Sequence, residues 1–329
     1  MNTIINKDKK IAIIGCGYWG TIITKTLIEL GLKNIFIYDS SAKNLHALKK
    51  KYNTVKIIKN YSKILFDKDL TNLFFATPPS MNYSLVKQAI INNKIIFLEK
   101  PGVNKSSDLN KLIKLNKKFN SRVMFGYVYC FSDHIKYIKK IISKNVLGKL
   151  LYINFQRQNL GPIRNDVDVT YDLTSHDLSI ILFLFGKLPK KISHIKYPIL
   201  KKNLCDISNL HMKLDNTFID INNNWINPTK IRKINIVGSK KMLSFDEMDL
   251  VNPIRIYNKY AKYPKIHEFN KKFFEAKALI YLGKNFSPKI KSSQSLLNEI
   301  KYFLKLKKKD RPITDFLFSL KILKFLETI

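Results

Sequence analysis

The sequence predicts an α/β fold of two domains: a doubly wound parallel sheet in residues 1–125, and an α+β domain with an open, mainly antiparallel sheet in residues 126–329. Three observations predict it. Short apolar runs alternate with amphipathic helical patterns from residue 10 to about 127. After "VLGKLLYINFQRQ" the pattern changes to strand-like runs separated by polar turns. A glycine-rich loop sits where the first apolar run meets the first helix. At 329 residues and 45% apolar content, the chain has enough material for two cores.

The elements follow in order. "IAIIG" (11–15), "NIFIYD" (34–39), "LFFATP" (73–78), "IIFLEKP" (95–101) and "RVMFGY" (122–127) are β-rich and nearly all apolar, as strands covered on both faces must be. Between them lie helices such as "GTIITKTLIELG", with Gly31 as the C-terminal cap, and "SSDLNKLIKLNKKFN", whose Leu109, Leu112, Ile113 and Leu115 mark one face. In the second half "YDLTSHDL" (171–178) opens a helix into "SIILFLFG", with Asp172 or Thr174 as its expected cap. Five strand-like runs then extend to about residue 247, and two helical patterns, "SLLNEIKYFLKLKKKD" and "DFLFSLKILKFLE", close the chain.

Composition excludes several classes of function. The apolar segments fall short of the ~20 residues that cross a bilayer. "MNTIINKDKK" lacks the apolar stretch of a signal peptide, so the expected location is cytoplasmic, with no membrane partner. Cys16, Cys130 and Cys205 are widely spaced thiols with neither a disulfide framework nor a zinc pattern. No metal is expected, because His134, His194, His211 and His267 show no ligand spacing. The net charge of +35 invites a nucleic-acid reading, but only six of the 59 basic residues are Arg, and Lys is spread over nearly every polar face. A solvated basic surface is the expectation, with no nucleic-acid partner.

"IAIIGCGYWG" sets Gly15, Gly17 and Gly20 in G-x-G-x-x-G spacing between a strand and a helix, the dinucleotide-binding signature of a Rossmann domain. Asp39 follows at the end of the second strand, 24 residues after Gly15. A carboxylate there accepts from both ribose hydroxyls and repels a 2′-phosphate, which favours NAD over NADP. The competing reading is an Asp39 that merely starts a turn. Trp19 belongs to the core or walls the nicotinamide pocket. In a doubly wound sheet ligands collect at the carboxyl ends of the strands, where "ATPP" (76–79) and "EKPG" (99–102) lie. Lys100 stands there beside a proline, where it is either a surface lysine or a proton-transfer group.

In this order, "GCGYWG", "ATPPSMNY", "FLEKPG", "VLGKLLYI" and "YDLTSHDL" resemble the Gfo/Idh/MocA oxidoreductases, the glucose–fructose oxidoreductase and inositol dehydrogenase family. The likeness continues through "NNNWINPTKIRKINIVGSKKMLSFDE" to the last helix. It implies hydride transfer between NAD(P) and a sugar or cyclitol carbon, and a C-terminal sheet that assembles a homodimer or homotetramer. The Glu-Lys-Pro motif maps to Glu99, Lys100 and Pro101, with the Lys–Pro bond commonly cis; the D-x-x-x-H pair maps to Asp172 and His176, and these would converge with Lys100 at the nicotinamide. The implied cofactor contacts are Gly15, Gly17, Tyr18, Trp19, Gly20, Asp39, Ser40, Thr77, Pro78, Asn82, Glu99 and Lys100. Three positions depart from the family: Asn82 where His is frequent, Asn93 where Gly is frequent, and Thr174 in place of the Gly of D-x-G-x-H. "NLGPIRNDVDVTYDLTSHD" looks most like the branch with UDP-N-acetylglucosamine and UDP-N-acetylglucosaminuronate 3-dehydrogenases of surface-polysaccharide synthesis.

Oxidising a secondary alcohol needs a base for the hydroxyl proton while hydride leaves the same carbon. His176 has the suitable pKa, Asp172 one turn earlier orients it, and Lys100 supports the developing alkoxide or donates the proton itself. Arg157, Asn159 and Arg164, with Tyr171 and His176, form the expected substrate contacts, the two arginines as forked donors for a pyrophosphate or uronate. Salt bridges of Arg157 or Arg164 to Asp166 or Asp168 are the bland alternative. The alternatives in function are a dehydrogenase of free sugars or inositol and, more distantly, a non-catalytic NAD-sensing or nucleic-acid-binding protein.

Overall fold

The structure, a computed structural model, describes residues 5–161, 163, 167–200, 202–262, 279–306 and 310–329. The chain divides into two compact units, Met1–Phe131 with Ser293–Thr328, and Ser132–Ser292 with Ile329.

The first unit begins β1 (Ile11–Ile14), α1 (Tyr18–Glu29), β2 (Ile35–Tyr38), α2 (Ala42–Lys51), β3 (Lys56–Ile57), α3 (Tyr61–Phe66), β4 (Asn72–Phe75) and α4 (Pro79–Ile91). It continues with β5 (Ile95–Glu99), α5 (Ser106–Phe119), β6 (Val123–Gly126) and a 3₁₀ turn, Val128–Phe131. The six strands pair in parallel in the order β3-β2-β1-β4-β5-β6. The order reverses between β1 and β4, which makes their carboxyl ends the place where a crevice opens. Every residue of β1, β4 and β6 is buried, as the apolar runs require. β3 is only two residues long, too short to leave a pattern in the sequence. Asn93, the departure from glycine noted above, has φ +53°, a left-handed conformation that Asn tolerates better than most residues.

The second unit holds α6 (Asp133–Ser143), β7 (Leu150–Leu160), a π-helical turn (Thr170–Thr174) running directly into α7 (Ser175–Phe185), and then β8 (Lys190–Tyr197), β9 (Ile207–Leu214), β10 (Thr217–Asn224), β11 (Ile226–Gly238), β12 (Met242–Asp246), β13 (Ile254–Lys262) and β14 (Leu279–Phe286). Its strands form one open sheet, β14-β13-β12-β11-β7-β10-β9-β8. All neighbours are antiparallel except β7 and β10. The sheet is therefore mixed, though mainly antiparallel.

The last two helices, α8 (Ser295–Lys305) and α9 (Phe316–Leu326), fall in the first unit, whereas the linear division of the sequence put them in the second. Aromatic packing accounts for their return. Phe303 of α8 packs on Phe74 and Phe97 with ring centroids 5.0 and 5.5 Å apart, and all three rings are buried. Phe316 and Phe318 at the start of α9 meet Phe125 and Tyr127 at 5.7 and 5.4 Å. Beyond α9, Glu327 accepts from the backbone N–H of Ser106 at 2.6 Å, supplying a negative group to the N-terminus of α5.

Phe303→Ala removes a ring that β4 and β5 both pack against, and is expected to lower stability by about 3–5 kcal/mol. Urea unfolding of the full chain measures it; an unchanged midpoint would show that α8 adds nothing to the parallel-sheet core.

Candidate active site

The turn between β1 and α1 is built by what its glycines lack. Gly15 has φ +96°, and a Cβ there would lie 2.7 Å from the carbonyl of Ala76. A Cβ on Gly20 would sit 1.9 Å from the carbonyl oxygen of Gly15, so α1 can lie against the turn only with hydrogen at that position. Gly17 behaves differently: a Cβ there would meet nothing within 4 Å. That open side flanks the N-terminus of α1, for which Gly17 supplies no side-chain cap. An open cradle at an uncapped helix N-terminus fits a dinucleotide pyrophosphate. Tyr18 and Trp19, the first residues of α1, are 78% and 41% exposed and meet edge-on at 6.1 Å, so Trp19 is not a core residue.

Asp39 starts a turn and also reaches the glycine loop. Its Oδ2 accepts from the Cys16 backbone N–H at 2.7 Å and from Asn44 at 3.3 Å, tying β2 to the glycine loop. Its Oδ1 accepts from the Ser41 N–H at 2.8 Å and so also starts the turn into α2. A carboxylate offers about four lone-pair sites, which leaves capacity for ribose hydroxyls. Ser40 beside it is exposed. Cys16 is buried, and burial pushes its thiol up to about 12, so it is inert.

Thr77 and Pro78 form the turn from β4 into α4, with Pro78 at the N-cap. Asn82 was expected among the cofactor contacts, but it is 1% exposed. It accepts from the Thr77 hydroxyl and donates to the Gly102 carbonyl at 2.6 Å. Its amide is a strut between the β4 and β5 turns. Glu99 ends β5 and Lys100 follows it, half-buried, joined to Pro101 by a cis peptide. Burial raises the Glu99 carboxyl to about 7, against the opposing pull of the Lys100 charge.

In the second unit Asp172 lies within the π-helical turn, and His176 is the second residue of α7. Both are half-buried, as is Tyr171, while Thr174, Ser175 and Asp177 are buried. Neither Asp172 nor Thr174 caps this helix. The cap is Asp168, whose carboxylate accepts from the Tyr171 N–H at 2.9 Å and whose carbonyl accepts from the Asp172 N–H at 3.1 Å. Asp172 is thereby released from capping.

Arg157, expected among the substrate contacts, is held in a salt bridge. It is 5% exposed, and its guanidinium bonds Asp177 Oδ1 at 3.0 and 3.2 Å. Asn223 of β10, also buried, donates to Asp177 at 3.1 Å and to the Thr174 hydroxyl at 2.9 Å. Thr174, in place of the family's glycine, thus gains a bond that ties the π-helical turn to the sheet. Asn159 accepts from Arg232 at 2.6 Å. Arg164 lies outside the described residues. Asp177 and Asn223 escaped the sequence reading because their partners come from other elements. The one local signal was Asp177, a second acidic residue in "YDLTSHDL" just ahead of an apolar run. No group of three or more His, Cys, Asp or Glu suited to a metal ion occurs among the described residues, and no described helix is long and apolar enough to cross a membrane.

A parallel sheet switching order beside a G-x-G-x-x-G turn, with an acid closing the second strand, defines a dinucleotide-binding domain of the Rossmann class. Residues 9–127 match the model of the GFO_IDH_MocA family, "Oxidoreductase family, NAD-binding Rossmann fold". The chain is 22% identical over 184 residues to a myo-inositol 2-dehydrogenase of Thermotoga maritima, covering 54% of this chain and 55% of that one. The chain spans about half the length of the curated relatives it matches. In fold it resembles the UDP-N-acetylglucosamine 3-dehydrogenase GnnA from Acidithiobacillus ferrooxidans, with a TM-score of 0.76 and 17% identity over 97% of this chain and 96% of that one. It is equally similar to GenD2 from gentamicin A biosynthesis in complex with NAD: TM-score 0.77, 12% identity, 99% and 94% covered. The nucleotide-sugar dehydrogenase is one such neighbour among several.

Two outcomes test this geometry. Gly17→Val places its side chain in open space, so it is expected to leave the melting temperature nearly unchanged while lowering NAD affinity at least ~10-fold; calorimetric titration checks it. Arg157→Ala strands Asp177 in a buried site and is expected to cost about 3–5 kcal/mol in denaturant unfolding.

Proposed function

We propose that this protein is an NAD-dependent oxidoreductase that oxidises or re-forms a secondary alcohol, at C3 of a nucleotide sugar, in surface-polysaccharide synthesis. The observation that carries the cofactor half is the open cradle at Gly17 with Asp39 beside it. The substrate half is supported by the sequence around "NLGPIRNDVDVTYDLTSHD" and by the likeness in fold to a UDP-N-acetylglucosamine 3-dehydrogenase.

In this reading the glycine loop and α1 hold the cofactor's pyrophosphate, and Asp39 holds the adenosine ribose. NAD supplies the hydride acceptor. His176 takes the hydroxyl proton, Asp172 orients its imidazole, and the Lys100 ammonium donates a hydrogen bond to the reacting oxygen as negative charge develops there. With Arg157 committed to Asp177, recognition of the substrate's diphosphate passes to Arg164. A second reading, a dehydrogenase of inositol or a free sugar, is favoured by the match to the myo-inositol 2-dehydrogenase.

For assembly we assign the open sheet to a homodimer or homotetramer. Apolar side chains stand exposed on it, among them Ile192 and Ile195 of β8 and Ile280 and Leu282 of β14.

His176→Ala and Lys100→Ala are each expected to lower turnover by roughly 10²–10⁴-fold while leaving NAD affinity nearly unchanged; near-normal rates in both would remove them from the chemistry. The two substrate readings separate in NADH formation and thermal shift across UDP-sugars, inositol and free sugars. A response to UDP-sugars alone supports the first, and a response to inositol or free sugars alone replaces it with the second.

A further inference from the structure

Glu299, in the middle of α8, is fully buried, and neither of its carboxyl oxygens has a hydrogen-bond partner among the described residues. A buried carboxylate with no donor is the costliest way to hold this side chain, so its surroundings must supply a reason.

Two aligned pairs locate it. Phe303 lies four residues after Glu299, on the same face of α8, and its ring packs on Phe97 at 5.5 Å. Phe97 and Glu99 share one face of β5, because alternate residues of a strand point the same way. Glu299 is thereby turned toward Glu99 at the carboxyl end of β5. From the other side, the Glu99 carboxyl lies across the end of β6. Gly126 is its register partner, and a Cβ on Gly126 would come within 3.1 Å of the carboxyl carbon and both oxygens. α8 also packs on the 3₁₀ turn that follows β6.

We propose that Glu99 and Glu299 hold one proton between them, so that the floor of the Glu99-Lys100-Pro101 turn carries a single negative charge beside the Lys100 ammonium. Two carboxylates offer only acceptors to each other, and one shared proton supplies the missing donor. Glu299 keeps that proton because Glu99 has Lys100 next to it. Burial and the Glu99 charge push the Glu299 carboxyl well above the ordinary carboxylate range, and Glu99 lies lower, at about 7. The pair titrates as a unit.

Few other charges bear on it. On α1, Lys25 and Glu29 are exposed and paired with each other at 3.6 Å. The 3₁₀ turn brings only Tyr129 and Cys130, and α8 itself carries the half-buried Lys301 and exposed Lys305. Glu299 acts through Glu99 and Lys100 and is a positioning residue. Its bearing on catalysis rests on the role proposed for Lys100, whereas the shared proton does not.

Infrared spectroscopy of the full chain reads the proton directly. At about pH 8, well above the ordinary carboxyl range, the wild-type chain is expected to show the C=O stretch of a protonated carboxylic acid. Glu299→Gln is expected to lose it. Carboxyl-¹³C-glutamate labelling should shift the band and ¹³C-aspartate should not, a measurement that stands even where the variant does not fold. Absence of the band, its survival in Glu299→Gln, or insensitivity to glutamate labelling overturns the proposal. No cofactor or substrate is added, so a failed dehydrogenase assay leaves this result untouched, and a missing band leaves the dehydrogenase reading standing.

Discussion

The first unit depends on one steric fact: α1 must touch the turn that precedes it. A Cβ on Gly20 would overlap the Gly15 carbonyl at 1.9 Å, so this contact exists only because the position bears hydrogen. With the helix seated there, its N-terminus is fixed at the end of β1, beside the switch in strand order. The loop between is then short enough for the Asp39 carboxylate to reach the Cys16 N–H. The glycine turn, Asp39 and the Glu99-Lys100-Pro101 turn all lie at carboxyl ends of strands of this one sheet. Asn82, bonded to both Thr77 and Gly102, extends the same frame from β4 to β5.

In the second unit a buried polar network fixes the π-helical turn. Arg157 on β7, Asp177 on α7 and Asn223 on β10 satisfy one another, and Asn223 also holds Thr174. Breaking one partner would leave a buried charge uncompensated, which makes the network specify geometry. A turn closed by i→i+5 bonds also contains more residues than an α turn, and such insertions are frequent at functional sites. Here it lies immediately before His176 and contains Asp172, while Asp168 does the capping.

What the sequence disclosed is what short-range chemistry decides. The glycine spacing, the acid at residue 39, the amphipathic face of α5 and the glycine after α1 each follow from residues near one another in the chain. The hidden features depend on distant partners. β7 gave no sign that it would pair in parallel with β10, because register across a crossover is not written in either strand. Arg157 looked like a ligand residue because its acid stands 20 positions away, across two elements. The tail helices showed their periodicity but not their destination, which Phe303 and Phe316 decide by packing on strands of the first unit. Glu299 looked like one polar position of an amphipathic helix, and only its burial marks it out.

We propose that this unit favours NAD over NADP, with Asp39 as the discriminating group. Calorimetric titration of the full chain with NAD and with NADP tests it most directly. The account predicts that NAD binds at least ~10-fold more tightly, because the Asp39 carboxylate accepts from a free 2′-hydroxyl and repels a 2′-phosphate. Equal affinity, or tighter binding of NADP, would contradict it.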